Sequence, residues 1–165
     1  MAEALKTIAE PTTVETGVED PKAVADSLAG VLSDTYNLLL KTHAYHWNVE
    51  GPLFYGIHHL TEEQYTDLFE ATDVLAERMR ALGQLAPMSI KAIVEGSVIS
   101  DAPKNPTALD MVEDLAGDHE QVATRLHELI EVAEKHSDDV TADLATARSA
   151  FHEKAAWMLR AIAKS

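Results

Sequence analysis

The sequence predicts an all-α chain, a four-helix bundle with one long crossover between its second and third helices. Three observations carry this. Four segments of about 25–30 residues place apolar residues at helical spacing. Breaks rich in Pro, Gly, Ser or Asp separate them, short in two places and long over residues 84–106. No stretch alternates like a strand over a useful length, and no internal repeat is visible.

The first helix should start at Asp20-Pro21, an N-cap followed by proline at the first helical position, and stop near Asn48 before Glu50-Gly51-Pro52. Leu28, Leu32, Leu39 and His46 share one face of it. The second runs from about Leu53 to Leu82 and ends with Arg78 and Arg80 at its negative pole, then Gly83. Residues 84–106 hold Pro87, Pro103 and Pro106, with room for one short helix over Ser89–Val94. The third helix starts at Thr107, with Asp110 forming a capping-box-like pair, and ends near His136. Ser137-Asp138-Asp139 breaks the pattern, and the fourth covers about Val140–Ala163.

Short connections make antiparallel hairpins of the first and second pair and of the third and fourth. A single long crossover between them is the ferritin-like connectivity of the four-helix bundle. The inward Glu-x-x-His signature of that architecture is missing, because no Glu stands three residues before any of the eight histidines. An ordinary in-bundle metal centre is therefore not expected.

Composition narrows the function. The 165 residues suit one domain with a real core. The absence of cysteine excludes disulfides, thiolate metal sites and cysteine nucleophiles. No apolar run is long enough to span a membrane, and no basic-then-apolar leader opens the chain, so the expectation is a cytoplasmic protein. Thirteen basic and 28 acidic residues give a net charge of −15, which favours cations over nucleic acid and anionic membranes. Residues 1–20 read as a flexible acidic tail, with Glu3, Glu10, Glu15, Glu19 and Asp20 against Lys6. Residues 21–165 are the bundle domain.

The chemistry concentrates between His43 and Gly83. At 100° per residue, Glu62, Asp73 and Glu77 fall about 40°, 60° and 100° from His58, one stripe on the second helix. Leu60, Leu68, Ala71, Leu75, Met79 and Leu82 form a second stripe, the face that enters the core. The potential ligands therefore point away from their own core. Glu62 and Asp73 lie about 16 Å apart along the axis, too far for one metal. Yet positions 58 and 77, and 62 and 73, are symmetric about a point between Asp67 and Leu68. Two copies packed antiparallel there would set His58 and Glu62 of one chain against Asp73 and Glu77 of the other, making two equivalent sites per dimer.

The run His46-Trp47-Asn48, Gly51-Pro52, Phe54, His58, Glu62, Asp73, Ala76-Glu77-Arg78 and Gly83, with Thr141-Ala142-Asp143-Leu144 and His152-Glu153-Lys154 before Trp157, resembles the Dps family of mini-ferritins. The likeness covers residues 21–163. It implies a hollow homododecamer that oxidises Fe(II), with hydrogen peroxide or O2, and stores ferric mineral inside, protecting the cell from oxidative damage. It implies ferroxidase sites across the dimer two-fold, with His46, His58 and Glu62 from one chain and Asp73 and Glu77 from its neighbour. Glu62 stands where aspartate is common in the family, keeping the carboxylate on a longer arm. Imidazole with carboxylate suits Fe(II), with Zn and Mn as competitors.

Other residues carry two readings each. His46 lies on an apolar face, as a packing histidine or a ligand. Trp47 either takes up stray oxidising equivalents, as the likeness implies, or packs at an interface. His43 is a further ligand or a hydrogen-bond partner. His59 faces solvent or a neighbour. His119, His127, His136 and His152 show no paired carboxylate spacing. Glu63, Asp67 and Glu70 line a mineral cavity or form a solvated face. Asp138, Asp139 and Asp143 line an iron-entry pore by the likeness, or cap the fourth helix. Direct DNA binding is not expected, because the tail is net negative and only Arg160 and Lys164 follow Trp157. Three functions remain to be separated: an iron-oxidising cage, a nucleoid-compacting DNA binder, and a structural helical oligomer with a polar interface.

Overall fold

The computed structural model describes residues 12–164. Its helices are α1 (Pro21–Asn48), α2 (Phe54–Ala81), α3 (Ile90–Glu95), α4 (Ala108–Lys135) and α5 (Asp139–Ile162). No strand occurs among the described residues. α1 pairs with α2 and α4 with α5, while α1 also packs on α4 to close a four-helix bundle. The short α3 sits in the crossover against α1. This is the ferritin-like arrangement the sequence predicts.

Local chemistry sets the ends. Asp20 accepts from Ala23 N–H with proline at the start of α1. Thr107 and Asp110 form the reciprocal capping box of α4. Gly51 at φ 103° makes the tight α1–α2 turn. Past α2, Gln84 N–H donates to the Met79 carbonyl and Gly83 N–H to Arg80, with Gly83 left-handed at φ 73°. That is a Schellman closure. α4 ends the same way, through Asp138 to Ala133 and Ser137 to Glu134, but the left-handed residue is Ser137 at φ 59°.

The apolar stripe of α2 is buried as its spacing demands, from Leu60 to Leu82. It meets Leu28 and Leu38 of α1, Leu115, Leu126 and Leu129 of α4, and Leu159 of α5. Each such leucine contributes about 2 kcal/mol of transfer free energy.

Polar groups also enter the interior. Lys41 Nζ lies 2.6 Å from Asp118 and 3.0 Å from Asp114, and Tyr45 Oη donates to Asp114 at 2.6 Å. Burial pushes Asp118 up to about 6 although Lys41 opposes it. Asp34, fully buried, accepts from Arg125, Ser97 Oγ and Val98 N–H, and so ties the crossover to α1 and α4.

His119 and His152 face each other in the core with Nδ1 atoms 2.9 Å apart. Burial, then Arg148, pushes His119 down to about 3. Burial, then His119 and Arg148, also holds His152 well below the ordinary imidazole value. Both are neutral, one ring donating to the other.

Of the segment read as a tail, residues 1–11 lie outside the described residues. Val18 packs on the core, and Glu19 N–H donates to the His136 carbonyl at 3.0 Å.

Candidate metal centre

The last turns of α1 and the first turns of α2 bring the histidines together. His46 Nδ1 donates to the His58 carbonyl at 2.9 Å, and His58 Nδ1 donates to the His46 carbonyl at 2.9 Å. A carbonyl only accepts, so each ring must carry its proton on Nδ1. In the neutral ring this leaves the lone pair on Nε2, the form a metal requires. The rings stack at 3.8 Å between centroids, and Phe54 stacks on His58 at 4.9 Å. His46 is 8% exposed, so it is both packed and tautomerically fixed. Thr61 Oγ1 donates to the His58 carbonyl and sits 3.4 Å from His46 Nδ1.

The carboxylates follow the outward stripe. Glu62 is exposed, with His59 Nδ1 at 3.6 Å from it. Asp73 and Glu77 are exposed further along α2 and enter no ion pair among the described residues. Within one chain the histidine end and the Asp73–Glu77 end stay apart. Among the described residues no three His, Asp or Glu side chains converge to hold a metal. One chain thus presents two separated half-sets: two imidazoles with fixed tautomers plus Glu62, and a pair of free carboxylates. The donor chemistry suits iron, since imidazole and carboxylate oxygen together match a borderline divalent ion that becomes trivalent.

A family profile described as ferritin-like domain matches residues 25–165. DNA protection during starvation protein 2 of Bacillus anthracis is 36% identical over 140 residues, covering 85% of this chain and 96% of the relative. The solved Dps protein from Bacillus brevis superposes with a TM-score of 0.83 at 33% identity, over 86% of this chain and 95% of that one. The chain belongs to the Dps family of ferritin-like proteins. A Dps protein from Vibrio cholerae O1, at TM-score 0.81 and 26% identity over 86% and 89% of the chains, is described as one of the ferritin-like diiron-carboxylate proteins. Membership of the Dps family supports a role in iron storage and protection.

Other expected residues of this Dps chain fall as follows. Trp47 is 65% exposed and packs on His43 at 4.1 Å. His43 stacks on Tyr65 at 4.3 Å, and Tyr65 meets the His46 ring edge-on at 5.1 Å. His43 is thus a ring partner in this structure. Tyr65 escaped the sequence reading, although it stands seven residues after His58 on the same face.

Asp139 and Asp143 are exposed at the start of α5. Asp138 faces inward. It is 1% exposed, accepts from Thr141 N–H and Oγ1, and pairs with Arg78 at 2.6 Å. Burial opposes its charge, but Arg78 and Thr141 outweigh it and lower its pKa. Asp138 is the cap of α5 and the anchor of Arg78. Asp67 is held by Arg148 at 2.6 Å, whereas Glu63 and Glu70 remain exposed. No described helix is long and apolar enough to cross a membrane.

Proposed function

We propose that this protein oxidises Fe(II), with hydrogen peroxide or O2 as acceptor, at two equivalent sites across the two-fold of a homodimer, and stores the ferric product inside a hollow dodecamer in the cytoplasm. His46, His58 and Glu62 of one chain and Asp73 and Glu77 of its twin bind the iron. The observation that carries this is the reciprocal pair of hydrogen bonds between His46 and His58. It fixes the proton of each neutral ring on Nδ1 and leaves Nε2 for the metal, so little reorganisation is needed on binding. The antiparallel symmetry of the α2 stripe supplies the carboxylates.

The chemistry follows from the donors. Anionic oxygens favour Fe(III) over Fe(II), which makes each electron easier to remove. A carboxylate such as Glu77 would supply anionic oxygens to hold the iron. Two Fe(II) give two electrons to one peroxide, which takes up two protons and leaves as two waters, so no hydroxyl radical is released. Trp47, exposed beside His43, stands where a stray oxidising equivalent would be intercepted. Zn(II) competes for the same donors. Asp139 and Asp143 are the residues proposed to guide iron inward, drawn by the acidic surface.

The test is anaerobic Fe(II) titration with peroxide. Oxidation well above the buffer rate, with two Fe(II) consumed per peroxide and no spin-trapped radical, is the expected result. A rate equal to buffer would leave the chain a helical oligomer with a polar interface.

A further inference from the structure

We propose a second divalent-metal site, formed by His127, Ser149 and Glu153 on the seam between α4 and α5, for a borderline transition ion of the Cu(II) or Zn(II) type. It lies on the opposite helix pair from His46 and His58 and does not depend on the iron chemistry proposed above.

Three donor atoms close a triangle there. His127 Nε2 is 3.2 Å from Glu153 Oε1 and 3.2 Å from Ser149 Oγ, and Ser149 Oγ is 3.1 Å from Glu153 Oε1. Ligands about 2.1 Å from a metal stand roughly 3.0 Å apart at a right angle and roughly 3.4 Å apart at a tetrahedral angle. All three edges fall between those limits. The triangle is therefore one face of a coordination sphere, spaced for an ion seated above it.

The surroundings agree. Ser149 is 3% exposed and forms a fixed floor. The side chains of His127 and Glu153 are 61% and 59% exposed, so the outer positions open to water, which completes the sphere. His127 makes its hydrogen bonds through Nε2. A neutral ring can therefore carry its proton on Nδ1 and give Nε2 to the ion without net proton release. The net charge of −15 raises the local concentration of cations at such a seam.

The test uses the assembled full-length protein in a background where Asp73→Asn and Glu77→Gln silence the inter-subunit carboxylates. Copper(II) is titrated at neutral pH and followed by electron paramagnetic resonance, with zinc(II) calorimetry alongside. The background should retain a population with coupling to one imidazole nitrogen, near one per chain. His127→Gln should abolish it. Glu153→Gln should weaken it by at least about tenfold, the lower end of what losing even a group behind a metal ligand costs. Both are surface changes, and unchanged helicity and size would show that the fold survives. A spectrum and stoichiometry unaltered by His127→Gln, or no bound metal in the background, would overturn the proposal. Loss of iron oxidation with this signal intact would count only against the inter-subunit site.

Discussion

Arg78 Nη2 lies 2.6 Å from Asp138 Oδ1, and Arg78 Nε donates to Thr141 Oγ1 at 2.9 Å. The last turn of α2 is thereby fastened to the first turn of α5. Asp138→Asn removes the charge that balances Arg78, whose side chain is only 12% exposed, and weakens the cap. The expected loss is about 3 kcal/mol, read by urea unfolding. The sign with pH follows. The folded pKa of Asp138 is depressed, so its contribution is present above the unfolded carboxylate value and is lost as pH falls through the folded one. Asp143→Asn should leave stability within about 0.5 kcal/mol while slowing iron uptake. Equal unfolding curves for the two variants would refute this division of roles.

A complementation experiment addresses the shared pocket. His46→Ala with His58→Ala in one preparation, and Asp73→Asn with Glu77→Gln in another, should each lose at least about tenfold in peroxide-driven iron oxidation. Dissociated and reassembled together, the two should recover part of the rate, because some dimers then hold one intact site. A mixture as inactive as its parts would place the whole site within one chain.

Acid sensitivity should come from the core. His119 and His152 are neutral when folded, with pKa values pushed below that of a free imidazole. The unfolded chain takes up those protons as pH drops below about 6.5, so stability is full above that pH and falls towards pH 3. At pH 5 the loss from His119 is about 2 kcal/mol, and His152 adds to it in the same sense. Asp118 acts in the opposite sense, because its raised pKa means that the folded state takes up a proton first on acidification. Replacing both histidines with glutamine should flatten the melting temperature between pH 6.5 and 4.5, whatever its absolute value. An unchanged slope would show that the pair does not govern it.

Ser137 occupies a left-handed position at the end of α4 that glycine fills at the end of α2. Ser137→Gly should stabilise by about 1 kcal/mol, less whatever the Ser137–Glu19 hydrogen bond of 3.3 Å contributes. A lower melting temperature would mean that this contact outweighs the backbone relief.

The fold was legible because its signals are local. Asp20-Pro21, Thr107 with Asp110, Gly83 and the stripe from Leu60 to Leu82 each act within a few residues, and all appear where spacing puts them. The direction of the carboxylate stripe was equally legible from helical geometry. The interior polar groups were not. Nothing local says that His119 meets His152, that Lys41 reaches Asp118, or that Asp138 turns inward to Arg78, since the partners stand 33 or more residues apart and only folding brings them together. Spacing arguments see one helix at a time.

The acceptors behind both imidazoles are main-chain oxygens, contributed by the two histidines themselves. Every amino acid supplies such an atom, so no side-chain substitution elsewhere can delete the support. Metalloproteins that brace a histidine with a partner carboxylate must preserve two positions against mutational drift. This pair needs only itself and the backbone path of one turn, which leaves its neighbours free to diversify over evolutionary time.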